Sequence, residues 1–422
     1  MSTRRGFLRS GALAVFGVGI GGVPGFVARA AASFKRDQLY KRNKILICIF
    51  QRGAMDGLMA VPAFTDPYLQ AARPTLFMSA AKGAATSPVI DLDGRFGLHP
   101  GMKAFEPLFR EKRLAIVHGI GSPNNSRSHF DAQDYMESGT PFDKGTNTGW
   151  LNRASGLMGH EATPFRSVSL TNSMPRSFYG DQAAIAVSNL RDFAIQMRGN
   201  KMASNVTARS FEDLYDQASS DLLKSTGKET FSAVKMLEKL DTQGYTPANG
   251  AVYPISPLGN ALKQIAQLIK IDVGLEIGFA ESGGWDTHFG QGTDQGQFAR
   301  NAMDISNSIT AFWKDLGESL QDDVTIMTMT EFGRTVKQNG SGGTDHGRGS
   351  CNFILGNNVQ GGIVHGLVKP LSIENLEDAR DLPVTTDFRA VFSEVANQQL
   401  SLHNNETLFP GWTGKKIGVM RS

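Results

Sequence analysis

The chain has 422 residues, of which 40% are hydrophobic, enough to build a sizeable core in one large domain or in two to three small ones. Its 47 glycines are scattered among apolar segments without a fixed period, which excludes a collagen-like or low-complexity chain. The formal charge is +3, but four of the 43 basic residues lie in the first thirty positions and the remainder is nearly balanced, which argues against a nucleic-acid-binding protein.

The first segment, residues 1–32, has the layout of a twin-arginine export signal. The pair Arg4 and Arg5 is followed by an apolar stretch rich in Gly and Ala, which ends in small residues suited to cleavage. A single membrane anchor is the alternative, but the many glycines and Pro24 weaken such a span as a helix. We therefore expect export by the twin-arginine translocase, a periplasmic or secreted protein, and no stable membrane span after cleavage.

The rest of the chain, residues 40–422, is predicted to form one domain. A charged segment at about 199–250 has apolar residues at three- and four-residue spacing, which predicts a helical insertion. Residues 44–50 form an almost unbroken apolar run, which is typical of a strand buried on both faces of a parallel sheet. This strand delivers Asp56 to its carboxyl end as a candidate ligand, although an ordinary Asp-Gly turn is the alternative there.

A second apolar strand, residues 113–118, leads to a polar segment that begins a helix. Ser126, Ser128 and His129 lie at this helix start. A serine there is most often an N-cap, but a helix N-terminus with free amides also stabilises an anionic substrate and a serine nucleophile. Both alternatives stay open, and the three residues are candidate catalytic groups.

The second half of the chain alternates helices with strands. Helices are predicted at residues 256–271, 297–320 and 387–398, and strands at residues 273–279, 324–329 and 351–355. Polar residues collect where these strands end. The pattern predicts an α/β fold with a doubly wound, mostly parallel sheet sandwiched by helices.

Two of these strand ends present carboxylate and imidazole groups together, in loops rich in glycine. With Asp56, the candidate metal ligands are Asp286, His288, Glu331, Asp345 and His346. Oxygen and nitrogen donors in this mixture suit zinc, manganese or a similar divalent ion, whereas a thiolate site requires cysteines. Cys48 and Cys351 lie in apolar runs and are predicted to be core residues. We expect the six candidates to converge at one edge of the sheet.

Six short motifs occur in order along the chain: RGAMDGL, LHPGM, SRSHFDAQD, ESGGWDTH, TEFGRT and TDHGRG. Together they resemble the exported bacterial family called domain of unknown function 1501, over about residues 44–399. The resemblance implies an alkaline-phosphatase-like fold of the sulfatase superfamily, with one or two divalent ions (zinc, manganese or calcium) at the carboxyl edge of the sheet. It also implies that Asp56 binds metal and that Ser126 or Ser128 is the nucleophile.

The resemblance further assigns a metal-binding pair to Asp286 and His288. Where superfamily members carry Asp-His after a later strand, this chain has Glu331 followed by Phe332, so a carboxylate is kept and an imidazole is lost. Asp345 and His346 in the next loop are expected to supply the missing ligands.

Two functions of different classes follow. The first is an exported metal-dependent hydrolase or transferase acting on a phosphate or sulfate ester, either a small anionic ester or a polymer. In that enzyme Arg334 or Arg348 would hold the anionic group. The second is a non-catalytic exported metal-binding or assembly protein that retains the fold.

Overall fold

A computed structural model describes residues 43–81, 86–190 and 245–421. The predicted export signal and most of the predicted helical insertion lie outside the described residues. The described end of that insertion, residues 245–250, forms irregular structure and a turn. It is fastened to the domain by Tyr245, whose hydroxyl donates to the buried carboxylate of Asp315 at 2.6 Å.

Most of the strands belong to one large sheet. The strands are β1 (Ile45–Gln51), β2 (Ile90–Asp91), β3 (Gly97–Leu98), β4 (Leu114–Gly121), β5 (Ser167–Ser169), β6 (Ile185–Ala186), β7 (Ile277–Ser282), β8 (Val324–Met329), β9 (Ser350–Leu355), β10 (Val364–His365) and β11 (Thr386–Asp387). Within the described part of the chain, the sheet has nine strands in the order β10-β4-β9-β8-β1-β7-β5-β6, with β11 also paired to β4. Only β9 runs antiparallel to its neighbours in this sheet, and β2 and β3 form a separate antiparallel pair.

Helices cover both faces of the sheet. The α-helices are α1 (Gly57–Ala60), α2 (Pro67–Ala72), α3 (Glu106–Arg110), α4 (His129–Ser138), α5 (Trp150–Leu157), α6 (Pro257–Lys270), α7 (Gln297–Leu316), α8 (Glu318–Gln321), α9 (Phe388–Leu400) and α10 (Asn405–Leu408), and short 3-10 helices span Pro100–Phe105, Arg176–Phe178 and Ile373–Asn375. Among the described helices, none combines the length and the apolar character needed to cross a bilayer.

The central strand β1 shows why the chain folds into layers. All seven of its residues are buried, and they alternate between two cores because successive side chains of a strand point to opposite faces. Ile47 packs into the core that contains helices α6 and α7, whereas Phe50 packs into the core that contains α5 and α9. The predicted α/β class, with a doubly wound, mostly parallel sheet between helices, is therefore confirmed.

Some element boundaries differ from those that the sequence predicts. The strand predicted at 273–279 begins only at Ile277, because Gly274 before it has a φ of +80°, which is not extended. The helix predicted at 297–320 stops at Leu316, because Gly317 adopts a φ of +69° and starts a separate short helix. The strand at 351–355 is present as β9, but it is antiparallel. Cys48 and Cys351 are buried free thiols, as predicted.

Two histidines are buried in the core as neutral side chains. Nε2 of His118 donates to the carbonyl of Val61 at 3.0 Å, and its Nδ1 accepts from the amide of Gly119. Burial lowers the pKa of His118, and likewise that of His99, to about 4. Because an unfolded histidine has a pKa of about 6.5, between about pH 6.5 and pH 4 these groups take up protons more readily in the unfolded chain than in the folded one.

We therefore expect stability to be fully present above about pH 6.5 and to fall as the pH drops towards about 4, by about 3 kcal/mol for each buried histidine. His118→Gln keeps a side-chain donor without a titrating group, so it should lose less stability over this range. Urea unfolding of both proteins with chelator, at neutral pH and near pH 4.5, measures the difference. Equal acid sensitivity of the two proteins would contradict the assignment.

Candidate metal centre

The polar residues of interest lie at the carboxyl ends of β7 and β8 and at the start of α4. Because β1 lies between β7 and β8 and runs parallel to both, the loops after these strands meet at one edge of the sheet. Two glycines permit close approach between loops. A Cβ on Gly53 would come within 2.5 Å of the amide nitrogen of Asp286, and one on Gly343 within 2.4 Å of the backbone of His288.

Three imidazoles and one carboxylate converge in this region. Nε2 of His346 lies 3.0 Å from Nε2 of His129 and 2.9 Å from Nε2 of His288. The carboxylate of Asp286 joins them, with Oδ1 at 3.1 Å from Nε2 of His288 and at 3.2 Å from Nε2 of His346. Its Oδ2 lies 3.5 Å from Nε2 of His129. We call these four side chains the cluster.

The other ring nitrogen of each imidazole fixes its tautomer. Nδ1 of His129 lies 2.8 Å from a carboxylate oxygen of Glu331, and Nδ1 of His288 lies 3.0 Å from Asp345. Nδ1 of His346 lies 2.9 Å from a backbone carbonyl oxygen. All three partners can only accept, since carboxylates and carbonyls carry no proton there, so each Nδ1 is the donor. In its neutral form, each ring therefore directs the bare lone pair of Nε2 into the cluster.

Such an arrangement fits a cation. Lone pairs 2.9 and 3.0 Å apart cannot bond to one another, and protonating all of the rings would place positive charges side by side. A divalent ion would satisfy the nitrogen and carboxylate donors at once, and histidine ligands that donate Nδ1–H to an outer carboxylate are typical of metal sites. Ligand atoms of His129, Asp286 and His346 all lie within 4.8 Å of one another.

Electrostatics favour an ionised carboxylate in the cluster. Burial alone would raise the pKa of Asp286, but the hydrogen bond and charge of Arg334 lower it below its ordinary value. Burial likewise opposes ionisation of Glu331, yet hydrogen bonds from His129 and Gln133 hold its pKa below the usual range. The hydrogen bond to Glu331 in turn raises the pKa of His129. The outer carboxylate therefore makes this imidazole a more basic donor.

Two predicted ligands contact the Nδ1 atoms of the histidines and not the Nε2 atoms that face the cluster. Glu331 is buried, and its Oε1 accepts from His129, from the amide of Gly53 and from Gln133. Asp345 accepts from His288 and from Asn339. Both carboxylates are already hydrogen-bonded, so the structure places them as partners that orient imidazoles.

Asp56, which the sequence predicts as a metal ligand, is paired with an arginine in the structure. Its two carboxylate oxygens are bound by the guanidinium of Arg73 at 2.8 and 3.0 Å, and both side chains are buried. Asp56 also caps α1 by accepting from the amide of Met59. The carboxylate is therefore neutralised by the guanidinium of Arg73, and it lies outside the cluster.

The candidate catalytic residues occupy different positions. Ser128 is the exposed N-cap residue of α4, but its side chain makes no capping hydrogen bond. The hydroxyl of Ser126 accepts from the amide of Ser128 at 3.2 Å. Arg334 is buried and donates Nη1–H to Oδ1 of Asp286 at 2.8 Å. His129, predicted to act in catalysis, is a member of the cluster.

Sequence reasoning did not find that His129 belongs to the cluster or that Arg73 pairs with Asp56. A usable signal existed for His129, because it is the first residue of a helix that follows β4, a strand of the same sheet. Arg73 is the C-cap residue directly after α2, and no local pattern marked it.

The fold and the cluster together define an α/β protein with a candidate divalent-metal centre at the carboxyl edge of its sheet. The chain belongs to the family described as Protein of unknown function (DUF1501), whose model matches residues 111–408. The family prediction from the six motifs is thus confirmed. All four residues of the cluster lie inside the matched range, whereas Asp56 and Arg73 precede it. The curated proteins contain no match to this chain.

Several solved structures match the chain. The PsFucS1 sulfatase from Pseudoalteromonas sp. has a TM-score of 0.39 at 12% identity, covering 90% of this chain and 74% of the sulfatase. The lipoteichoic acid synthase LtaP from Listeria monocytogenes has a TM-score of 0.33 at 10% identity, covering 90% and 75%. The alkaline phosphatase from the Antarctic bacterium TAB5 has a TM-score of 0.29 at 10% identity, covering 75% and 93%. Because these TM-scores are below 0.5, the fold assignment rests on the strand order.

Proposed function

We propose that the protein is a metal-dependent hydrolase or transferase acting on a phosphate or sulfate ester. The observation that carries this proposal is that Nε2 of His346 lies beside Nε2 of His129, Nε2 of His288 and the Asp286 carboxylate, with the Nδ1 of each of these rings hydrogen-bonded to an acceptor. When bound, a divalent ion supplies Lewis-acid polarisation of an ester oxygen and lowers the pKa of a nucleophile that it coordinates. Zinc, manganese and calcium remain the candidate ions.

In this proposal each residue has one task. The cluster holds the ion, and Glu331, Asp345 and the carbonyl of Arg127 orient the three imidazoles. The site is open to substrate, since the side chain of Asp286 is 45% exposed and that of His346 is 25% exposed. A structural metal site is usually closed, so this exposure supports catalysis over a purely structural role.

Arg334 supports an anionic substrate. Its Nη2 is buried, and among the described residues it has no hydrogen-bond partner. A buried charged donor without an acceptor is unfavourable, and an anionic oxygen beside the cluster would satisfy it. Arg348 is the less suitable of the two predicted anion-binding arginines, because its guanidinium already donates to Glu377 and to the carbonyl of Asn124.

Ser128 is the preferred candidate nucleophile. It directly precedes His129 and its side chain makes no capping bond, whereas the hydroxyl of Ser126 is engaged by a backbone amide. An exposed hydroxyl next to a ligand is suited to activation by a bound ion.

Purified protein loaded with zinc, manganese or calcium tests the function on p-nitrophenyl phosphate, bis-p-nitrophenyl phosphate and p-nitrophenyl sulfate. We expect hydrolysis of at least one ester, loss of that activity with chelator, and its return with the ion. Ser126→Ala serves as the control for Ser128→Ala. If the metal-loaded protein turns over none of the three esters, the non-catalytic metal-binding alternative is favoured.

We also propose export by the twin-arginine pathway, on the basis of Arg4 and Arg5 in the leader. Replacing both arginines with lysine is expected to leave the protein in the cytoplasm, because this pathway reads the arginine pair itself. Fractionation of cells that express either form measures the distribution. Unchanged export of the double variant would contradict this pathway.

A further inference from the structure

We infer that the buried Arg73–Asp56 ion pair positions the two loops that carry three of the four cluster residues, and that it leaves the centre with one metal ion and not two. The inference rests on the proposed metal centre and concerns residues outside the cluster. It removes Asp56 from the set of ligands that the sequence predicts.

The carboxylate of Asp56 has no free coordination position. Its oxygens accept from Nη1 and Nη2 of Arg73 at 2.8 and 3.0 Å, from Nε2 of Gln291 at 2.8 Å and from the amide of Met59 at 3.1 Å. A carboxylate offers about four lone-pair sites, so these four donors use them all. Arg73 and Asp56 are each 1% exposed. A second ion at Asp56 would have to displace a buried, bidentate guanidinium of the same sign of charge.

Arg73 fastens the loop that follows β8. Its Nε donates to the carbonyl of Val336 and its Nη2 to the carbonyl of Thr335, both at 2.9 Å. Thr335 in turn donates its amide to the carbonyl of Asp345 at 2.9 Å, and its hydroxyl accepts from the amide of Asp345 at 3.1 Å. Arg73 therefore fixes the backbone on which Asp345 and the neighbouring His346 stand.

Asp56 fastens the loop that follows β7 through one bridging side chain. Gln291 donates to Asp56, and its Oε1 accepts from the hydroxyl of Thr287 and from the hydroxyl of Thr344, both at 2.8 Å. Thr287 lies between Asp286 and His288 in the chain. The ion pair is thus connected by hydrogen bonds to both ligand-bearing loops, and it acts on the metal through their positions.

The test is metal stoichiometry and affinity, measured by elemental analysis and by competition with a chromophoric chelator using zinc, manganese and calcium. We expect one ion per chain in the parent protein and still one in Asp56→Asn. Arg73→Met should lower the affinity on the order of 10–100-fold, as loss of an outer partner of a metal ligand does. Arg73→Lys should restore only part of it, because a lysine cannot make the paired contacts.

The control is a second buried ion pair that contacts neither loop. Arg166 donates to Glu276 at 3.0 Å, and both side chains are about as buried as the Arg73–Asp56 pair. Arg166→Met should reduce stability while leaving metal affinity unchanged. Gln291→Ala keeps the Arg73–Asp56 pair and removes the hydrogen bonds that link Asp56 through Gln291 to Thr287 and Thr344, so it should lower affinity even if Arg73→Met fails to fold.

Separate outcomes overturn separate claims. Two ions in the parent, with one lost in Asp56→Asn, would overturn this inference and leave the proposed function in place. Unchanged affinity in folded Arg73→Met and in Gln291→Ala would overturn the positioning role. A parent protein that binds none of zinc, manganese and calcium would overturn the proposed metal centre itself.

Discussion

Asp286→Ala is expected to abolish most of the metal-dependent stabilisation of the protein, whereas Asp345→Ala removes a smaller part. Asp286 places its own oxygens among the three Nε2 atoms, while Asp345 contacts only the far nitrogen of His288. An ion that binds only the folded state stabilises it by about 2.7 kcal/mol when its free concentration is roughly a hundred times the dissociation constant. Loss of an outer partner weakens binding by about 10–100-fold, which leaves part of that stabilisation.

Thermal unfolding of the parent and both variants, with chelator and with added zinc, manganese or calcium, measures this ranking. Asp294→Ala is the matched control, because Asp294 is an acidic residue downstream in the same loop and binds Ser87 outside the cluster. It should retain the full response to metal. A larger loss for Asp345→Ala than for Asp286→Ala would reverse the proposed roles of the two carboxylates.

Arg334→Lys is expected to lower kcat/KM by about 100-fold or more while the protein keeps its metal. The guanidinium uses Nη1 to bind Asp286 and has Nη2 left for an anionic oxygen, whereas a lysine offers a single point charge in place of this fork. Removing one donor to developing negative charge typically costs about 10²–10³ in rate.

Activity is one readout, and the affinity for inorganic phosphate and sulfate, measured by calorimetry on metal-loaded protein, is a second. Arg348→Lys is the control, since Arg348 is paired with Glu377 and should not contribute to anion binding. If Arg348→Lys loses anion affinity and Arg334→Lys does not, the two arginines exchange roles. Loss of metal from Arg334→Lys would show that this residue acts only by holding Asp286.

Periodicity was enough to find the elements that build the edge of the sheet. The segment that became β1 is an almost unbroken apolar run, as expected for a strand buried on both faces, and the segment that became β8 interleaves Thr with Val, Ile and Met between polar boundaries. The direction of β9 was not predictable in this way, since an apolar run carries no information about which way it pairs. The end of helix α7 before Gly317 was also not predictable, because a glycine can occur both inside a helix and at its end.

In the candidate site too, local sequence patterns indicated some residues, while the roles of others depend on contacts between distant segments. Asp286, His288 and His346 were found because each belongs to a short polar segment directly after a strand or in the loop beside it. Which carboxylate faces the cluster and which one backs a histidine depends on distances across loops, so Glu331 and Asp345 could not be separated from Asp286. The role of Asp56 was set by an arginine 17 residues further along the chain, a contact that no local pattern indicates.

The most direct test of the metal centre is X-ray diffraction from crystals of the protein loaded with zinc or manganese, with data collected on both sides of the absorption edge of the metal. The proposal predicts one anomalous peak per chain, bordered by the Nε2 atoms of His129, His288 and His346 and by the carboxylate of Asp286, and no peak beside Asp56. A peak bound to Asp56, or metal-loaded crystals without any peak at the cluster, would contradict it.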